Sequence, residues 1–410
     1  MKKYSRCLAL VLALVLALSA CGARNNDPAA QENQGAQNVQ SGPDPADASE
    51  GEEVQETLAP AQPQVFTAAD MKGIDPYDPN LSVQSVDYSQ QPAFTSTEGM
   101  AEYFQDCIDN RCRSIVFSCS REVVVALSSE DFCNTYHVAW TIPKMQPGDF
   151  GKHYIIRVTY YPGDNVAWAY LHDDKSMLSD DELALYDTAV AWLEENITED
   201  MTDYDKCVAI HDYLSGYVQY DNELLAALNT SFTFDLGITA YGAMMNLDTI
   251  CQGYADAFDM LTSMLGMNCT QIYGTGSGEL HNWTMVELDG NWYHVDCTFD
   301  DMFPGNDGTS AKAYLFVSDQ QMRRTHSWDA SQYPEATDDS LWYYTAEDLV
   351  VSSEEELEAK VGQPLQEGRQ VDVYVKGLTE KQVTDYVQSL GGQFHAAAYQ
   401  SDTVLCAWIP

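Results

Sequence analysis

Residues Leu280–Cys297 read LHNWTMVELDGNWYHVDC, and this stretch decides the fold. Two runs rich in Val, Thr, Trp and Tyr flank the pair Asp289-Gly290. An Asp-Gly pair between such β-prone runs is typical of a two-residue hairpin turn, in which both central residues need a positive φ. The sequence therefore predicts an antiparallel hairpin in which Leu288 faces Asn291.

The predicted hairpin brings a histidine and a carboxylate to one face of the sheet. In this register Trp283 faces Asp296, and His281 faces Thr298. Because side chains alternate between faces, His281 and Asp296 become diagonal neighbours about 7–8 Å apart at Cα. An aspartate in that position can orient the imidazole ring and stabilise its charged form. Taken separately, a structural strand histidine and a capping aspartate are the simpler interpretations.

A second stretch, DTICQGYADAF at 248–258, predicts a helix that begins at Cys251 and stops at Gly266. Apolar side chains recur after the cysteine at helical spacing, namely Tyr254, Phe258, Leu261 and Leu265. The N–H groups and the dipole at a helix N-terminus stabilise a thiolate. Gly253, in the first turn, permits the close approach of another chain segment. The alternative for a lone cysteine is a buried structural role.

Cys251, His281 and Asp296 fit the arrangement of nucleophile, base and orienting carboxylate that thiol catalysis requires. The motifs around them resemble the transglutaminase-like superfamily. These motifs are CQGYA at 251–255, HNW at 281–283, WYHVD at 292–296 and TFDD at 298–301. Two upstream motifs resemble the region before the nucleophile in bacterial members, IHDYL at 210–214 and VQYD at 218–221. The resemblance covers about residues 200–320.

This resemblance implies an α+β fold with a papain-like core, in which a helix bearing the cysteine packs on an antiparallel sheet bearing the histidine and aspartate. Small α/β segments flank that core. It also implies Cys251 as the nucleophile, His281 as the base and Asp296 as the orienting residue. For the oxyanion, Tyr220 or Tyr217 is the side-chain candidate beside the Cys251 N–H, and Tyr220 is our choice. The family includes cross-linkers, amidases, peptidases and inactive relatives.

Metal binding is the other chemistry that this hairpin suggests. His281, His294 and Asp296 would project from one face, but a histidine beside a solvated loop is typical of the surface, and no HExxH motif is present. The acidic loop at 300–307 lacks the residue order of an EF-hand. Cys297 lies on the opposite strand face, where a structural role is expected. We therefore expect no metal and no cofactor.

The N-terminus is typical of an exported lipoprotein. Basic residues within Met1–Arg6 precede an apolar run at Cys7–Leu18, which is shorter than the roughly 20 residues of a transmembrane helix. LSACG at 18–22 resembles a lipobox, so residues 1–20 form the signal peptide and Cys21 is lipidated. Its acyl chains would hold the protein on the extracytoplasmic face of the cell membrane. An ordinary cleaved signal is the alternative.

Composition divides the rest of the chain. Residues 21–94 are the lipidated cysteine and a disordered acidic tether, because 22–64 contain no aromatic side chain and are rich in Ala, Gln, Pro and acid. Helical and β patterns alternate at 95–175, which predicts a small α+β N-terminal domain. The transglutaminase-like domain follows at 176–335, and its first helix has a capping box at Ser179–Glu182. A small α/β C-terminal domain occupies 340–410.

Charge and cysteine content narrow the partners. The formal net charge is −43, and such a surface repels nucleic acid, so we expect no nucleic-acid partner. Without Cys7 and Cys21, an odd number of the 11 cysteines remains, with no CxxC pair. Export permits disulfides among them. At least one should therefore carry a reduced thiol, and Cys251 is our candidate.

The sequence thus predicts an envelope-anchored protein that performs thiol-dependent acyl transfer or hydrolysis on amides of extracellular proteins or wall peptides. It would be a peptidase, an amidase or a protein-glutamine acyltransferase, because the thioester formed by the cysteine can be resolved by water or by an amine. The alternative is a catalytically silent binding or adaptor lipoprotein of the cell envelope with the same fold.

Overall fold

A computed structural model describes residues 71, 81–120, 122–123, 140–143, 152–230, 235–301, 308, 310–399 and 402–410. The predicted signal peptide at 1–20, the lipidation site Cys21 and most of the predicted tether lie outside these residues. Within the described part, no helix is long and apolar enough to cross a membrane. Helices and several sheets occur together, which confirms the α+β prediction.

The chain divides into two compact units, and the first contains the described residues up to 123 and those at 141–158. Its elements are β1 (Ala93–Phe94), α1 (Glu98–Asp109), β2 (Ser114–Cys119), β3 (Trp140–Pro143) and β4 (His153–Thr159), except that the end residues Trp140 and Thr159 are assigned to the second unit. The strands form one sheet in the order β1-β2-β4-β3. Met100, Phe104 and Cys107 of α1 are buried in the core of this unit, as their helical spacing predicts.

Residues 81–94 are not part of a flexible tether, which corrects the predicted boundary. Strand β1 pairs with β2, and the Leu81 carbonyl oxygen accepts a hydrogen bond from Arg157 at 2.6 Å. Val83 and Val86 are buried. The physical reason is that a few apolar side chains in this polar segment have a sheet to pack against, which average composition conceals.

The second unit holds residue 140 and the described residues at 159–410. Its helices are α2 (Pro162–His172), α3 (Asp180–Asn196), α4 (Asp203–Tyr217), α5 (Asn222–Thr230), α6 (Cys251–Met264), α7 (Cys297–Asp300), α8 (Asp319–Met322), α9 (Tyr343–Ala346), α10 (Glu354–Leu357), α11 (Gln363–Gln366) and α12 (Glu380–Ser389). Because α2 packs against α6 and α3, the boundary lies near residue 158, and the predicted boundary at 175 was wrong.

The central sheet of the second unit contains the predicted hairpin. The strands that form the site are β5 (Gln219–Tyr220), β6 (Asp248–Thr249), β7 (Cys269–Gly276), β8 (Glu279–Leu288), β9 (Asn291–Val295), β10 (Leu315–Val317) and β11 (His326–Ser327). The sheet has the order β10-β9-β8-β7-β11, with antiparallel neighbours. Leu288 faces Asn291, and Asp289 and Gly290 have φ of 51° and 80°, so the predicted register at the turn is confirmed.

Helix α6 lies against this sheet through β7 and β8. Tyr254, Phe258 and Leu261 are buried in the main core, as the helical spacing predicts. Gly266, with φ of 80°, follows the end of the helix. This is the predicted arrangement of a cysteine-bearing helix on an antiparallel sheet, and it positions the site.

The C-terminal segment forms a second sheet. Its strands are β12 (Val350–Val351), β13 (Val371–Val375), β14 (Gln393–Tyr399) and β15 (Asp402–Trp408), in the order β12-β13-β15-β14. Tyr374, Val404 and Cys406 share a buried cluster with Trp283 and Met285 of β8. Residues 340–410 therefore belong to the second compact unit, whereas the sequence predicts a separate domain. The shared apolar core is the physical reason for this difference.

Candidate active site

Cys251 is the first residue of α6 and is partly exposed. The residue before it, Ile250, has no side-chain acceptor for the N–H groups of the first turn. A Cβ on Gly253 would clash with Oγ1 of Thr249 and would lie 2.8 Å from the carbonyl oxygen of Thr239. The close approach predicted at Gly253 is therefore confirmed, and it brings β6 against the start of the helix.

Tyr220 lies beside Cys251 because β5 runs parallel to β6, with Tyr220 opposite Thr249. The Tyr220 hydroxyl lies near both the backbone N–H and the thiol of Cys251. Burial and the neighbouring thiol raise the pKa of Tyr220, so its hydroxyl keeps the proton at neutral pH. Of the two tyrosines considered for the oxyanion, Tyr220 reaches the cysteine. Tyr217 is 45% exposed, and its hydroxyl lies beside Gly308.

His281 meets both of its predicted neighbours. Its Nε2 atom lies 2.8 Å from Oδ2 of Asp296, and the ring is close enough to the Cys251 thiol for that thiol to help raise the pKa of His281. Since Nε2 is occupied by the carboxylate, Nδ1 is the nitrogen left for the thiol. One detail of the predicted register is wrong, because β9 ends at Val295 and Thr298 lies in α7 instead of facing His281.

Asp296 is held at both of its carboxylate oxygens. Oδ2 accepts a hydrogen bond from Nε2 of His281. Oδ1 accepts the N–H of Phe299 at 3.0 Å and thereby caps α7. Burial disfavours both charges, but the attraction and hydrogen bond between the partners outweigh it. The pKa of His281 rises to about 10, and the pKa of Asp296 falls below its ordinary value. At neutral pH the pair is therefore an imidazolium and a carboxylate.

The structure adds a residue that sequence reasoning missed. Nε2 of His326, in β11, lies 2.9 Å from the same Oδ2 of Asp296. Strand β11 has two residues and stands at the edge of the sheet, 30 positions from the aspartate in sequence. A single histidine in so short a strand carries no periodic signal. We refer to Cys251, His281, Asp296 and His326 as the thiol cluster.

Part of the thiol cluster also has the spacing of a metal site. The ligand-type atoms of His281, Asp296 and His326 lie within 4.8 Å of one another, the one such group among the described residues. Both Nε2 atoms, however, point at the same carboxylate oxygen, at 2.8 and 2.9 Å. An ionised carboxylate only accepts hydrogen bonds, so each Nε2 carries a proton and offers no lone pair to a metal. These residues therefore form a hydrogen-bonded cluster.

His294 takes no part in the thiol cluster. It is fully buried, whereas the sequence predicts a surface residue, because β9 is an internal strand that α8 also contacts. Its Nδ1 accepts the indole N–H of Trp283 at 3.0 Å, and its Nε2 donates to Asp319 at 2.9 Å. The set considered for zinc, in which His294 joins His281 and Asp296, is thus not assembled.

A second buried group contains the residue types of a catalytic site but is closed to solvent. Nε2 of His211 lies 3.0 Å from Oδ2 of Asp300 and 3.3 Å from Oγ of Ser215. All three side chains are buried. The Ser215 hydroxyl donates to the carbonyl oxygen of Cys297 at 3.0 Å, so its proton is not directed at the imidazole. We refer to Ser215, His211 and Asp300 as the serine cluster.

The fold and the thiol cluster define a class of protein, in which a cysteine at a helix start faces a histidine and an aspartate on an antiparallel sheet. Residues 191–297 match the family model described as the transglutaminase-like superfamily. The chain therefore carries a transglutaminase-like domain, which confirms the resemblance drawn from the motifs. No curated protein matches the chain.

Three solved structures are similar to the chain at low sequence identity. A TGase crystal structure is 17% identical with a TM-score of 0.27, over 56% of this chain and 56% of that one. A candidate cysteine protease from Cytophaga hutchinsonii is 12% identical with a TM-score of 0.24, over 48% and 70%. A candidate protease from Parabacteroides distasonis is 9% identical with a TM-score of 0.22, over 66% and 56%. This chain thus spans little more than half of the TGase.

Proposed function

We propose that the transglutaminase-like domain is a thiol-dependent acyltransferase or hydrolase for amides of extracellular proteins or wall peptides. Cys251 is the nucleophile, His281 the base and Asp296 the orienting carboxylate. One observation carries this proposal: His281 lies between a thiol at a helix N-terminus and a buried carboxylate, with Cys251 on one side and Asp296, hydrogen-bonded at 2.8 Å, on the other. An imidazole placed between a thiol and a carboxylate stabilises the thiolate and supplies the proton that a leaving group needs.

In the proposed reaction, the Cys251 thiolate attacks the amide carbonyl carbon, and a C–S bond forms while negative charge collects on the oxygen. The Cys251 N–H and the Tyr220 hydroxyl are the donors for that oxygen. Protonated His281 gives its proton to the leaving amine as the C–N bond breaks, which leaves a thioester. His281 then takes a proton from the attacking water or second amine, the C–S bond breaks, and the thiolate returns.

Iodoacetamide labelling at pH 6, followed by mass spectrometry, tests the nucleophile. We expect Cys251 to label at least about tenfold faster than a cysteine in an unstructured peptide, because the thiolate is the reactive form. The substitution H281A should remove this advantage, and C251A should remove the label. H294Q, at a buried histidine of the same sheet, is the matched control and should retain it. Equal rates in wild type and H281A would contradict the proposal and favour the silent adaptor.

Two assays then separate the reaction types. Incorporation of a fluorescent primary amine into a glutamine-rich protein reports acyl transfer, and release of peptides from the same protein reports hydrolysis. Each signal should disappear in C251A. A signal that persists in C251A would come from another catalyst and would count against this site.

We further propose that Cys21 is lipidated and holds the protein on the extracytoplasmic face of the cell membrane. The apolar run at 7–18 and the LSACG motif at 18–22 support this localisation. In a bacterial host fed an alkyne-tagged fatty acid, the wild-type chain should carry the tag and sediment with membranes. The variant C21S should do neither. An untagged wild-type chain would contradict the proposal.

A further inference from the structure

His326 differs from the other buried histidines because it shares its carboxylate oxygen with a second imidazole. Its Nε2 lies 2.9 Å from Oδ2 of Asp296, and Nε2 of His281 lies 2.8 Å from the same atom. The His326 side chain is fully buried. Together with the Phe299 N–H on Oδ1, these bonds give the carboxylate three donors from three elements, α7, β8 and β11. Asp296 therefore has one defined orientation.

The hydrogen bonds of His326 also define its tautomer. An ionised carboxylate cannot donate, so Nε2 of His326 carries the proton toward Asp296. Nδ1 lies 2.8 Å from Oγ1 of Thr325, which in turn lies 3.1 Å from the Tyr314 hydroxyl. In a neutral ring, Nδ1 accepts the proton of Thr325. Both ring nitrogens thus have partners, and the donor at Nε2 is directed at a single atom.

Packing prevents the ring from turning away. The His326 ring centroid lies 4.5 Å from that of Phe299, 5.0 Å from Trp283 and 5.4 Å from Tyr314. Close-packed interiors leave little room for a ring to change rotamer. The donor is therefore fixed before any substrate arrives.

We propose that His326 is a positioning residue, which holds Oδ2 of Asp296 at the point from which this oxygen orients His281 toward Cys251. The role rests on the proposed function of the thiol cluster. His326 acts through Asp296 and does not touch the reacting atoms. Without it, the carboxylate would keep the N–H of Phe299 but would lose the donor that fixes Oδ2, and its contact with the His281 imidazolium would weaken.

Several titratable groups lie around Asp296 and His281. Apart from His326, each has to be the same in all variants that are compared. They are Tyr220 on β5, Cys251 on α6, His281 on β8, His294 on β9, Cys297 and Asp300 on α7, Tyr314 before β10, and His326 on β11. A substitution of His326 changes none of the other side chains in this list. A change in the titration of His281 can therefore be assigned to the lost donor.

The test compares H326L, which removes the donor, with H326Q, whose amide nitrogen reaches about the position of Nε2. In the full chain carrying C251A, the ¹⁵N signals of the His281 ring are followed against pH. We expect the pKa of His281 to fall by about one unit in H326L, since a neighbouring opposite charge raises it by about one to three. H326Q should retain most of the wild-type value. H294Q is the control for loss of a buried histidine and should leave the titration unchanged.

A second measurement uses the chain with Cys251 intact. Labelling by iodoacetamide at pH 6 should be more than about threefold slower in H326L, because a less well oriented imidazolium stabilises the thiolate less, and within about twofold of wild type in H326Q. If H326L does not fold, H326N replaces it, because its amide nitrogen reaches the position of Nδ1 instead of Nε2.

An unchanged pKa of His281 in folded H326L would overturn the positioning role, even if Cys251 is reactive. A raised pKa would also overturn it, because His326 would then compete for the oxygen instead of placing it. If the pKa falls as expected but Cys251 of the wild type shows no enhanced labelling, His326 positions Asp296 and the proposed catalytic function fails. The two proposals can therefore fail separately.

Discussion

The thiol cluster and the serine cluster place similar groups at similar distances. Nε2 of His281 lies 2.8 Å from Oδ2 of Asp296, and Nε2 of His211 lies 3.0 Å from Oδ2 of Asp300. The side chains of both pairs are buried in the same compact unit. They differ in the third member. The thiol that faces His281 stands at a helix start and is partly exposed, whereas the hydroxyl of Ser215 is buried and donates to a backbone carbonyl oxygen.

This difference shows that a buried histidine–carboxylate pair does not by itself define an active site. In the serine cluster, the carboxylate of Asp300 accepts the backbone N–H of Tyr314 at 3.0 and 3.1 Å, and Ser215 binds Cys297 O. These bonds join α4, α7 and the segment before β10. The serine cluster therefore serves the fold, while the thiol cluster has a thiol that solvent can reach.

The largest effect should come from removing the histidine of the serine cluster. H211L leaves Asp300 buried without its histidine partner, and removing one member of a buried pair costs about 3–5 kcal/mol of unfolding free energy. Urea unfolding measures this loss, and the labelling of Cys251 at pH 6 should stay at the wild-type rate under folding conditions.

H281L is the matched variant in the thiol cluster, because Asp296 keeps the bonds from His326 and Phe299. It should destabilise the fold less than H211L and abolish fast labelling. If Cys251 of folded H211L is labelled as slowly as Cys251 of H281L, the serine cluster also governs the reactivity of the thiol, and the distinction between the two clusters is wrong.

The next largest effect should come from Tyr220, which lies beside the partly exposed Cys251. Y220F removes the hydroxyl beside the Cys251 N–H, and loss of one oxyanion donor costs about 100-fold in acylation rate. Acylation by p-nitrophenyl acetate, followed as p-nitrophenolate release, measures this step. Alkylation by iodoacetamide forms no oxyanion, so it should change by less than about threefold. Equal losses in both reactions would mean that Tyr220 acts on the thiol and not on the oxyanion.

A smaller effect is expected from the serine itself. S215A removes one hydrogen bond to the Cys297 carbonyl oxygen and should cost about 1 kcal/mol of unfolding free energy. The p-nitrophenyl acetate reaction should keep its wild-type rate, because the alanine lies outside the thiol cluster. A loss of acylation in S215A would show that the serine cluster takes part in the chemistry.

The parts of the site that follow from local rules could be predicted from the sequence. Asp289-Gly290 determines the hairpin register, and the apolar spacing after Cys251 determines where α6 begins. The capping box of α3 is present as predicted, with Ser179 and Glu182 each bonding the backbone of the other. Each of these features depends on residues within a few positions of one another.

Features that depend on distant contacts were missed. His326 reaches Asp296 across a sheet edge, and neither β11 nor the residues around it show a pattern that indicates the contact. The boundary near residue 158 depends on α2 packing against α6, which follows much later in the chain. His294 is buried because β9 lies between two other strands, and the sequence does not show that order of strands.

The smallest effect concerns Asp301, which follows Asp300 of the serine cluster in sequence and accepts the Tyr254 hydroxyl of α6 at 2.7 Å. Burial raises its pKa to about 7, although the bond from Tyr254 opposes this. A carboxyl with a raised folded-state pKa stabilises the fold fully below its unfolded value of 3.8, and this contribution is lost as pH rises through 7.

D301N has no charge to bury and still offers an amide oxygen to Tyr254. Its melting temperature should match wild type near pH 4 and exceed it by about 2 °C at pH 8, where ionised Asp301 is unfavourable. An offset of equal size at both pH values would show that the carboxylate charge is not the cause. The rate of Cys251 labelling should be unaffected, because Asp301 bonds Tyr254 and no member of the thiol cluster.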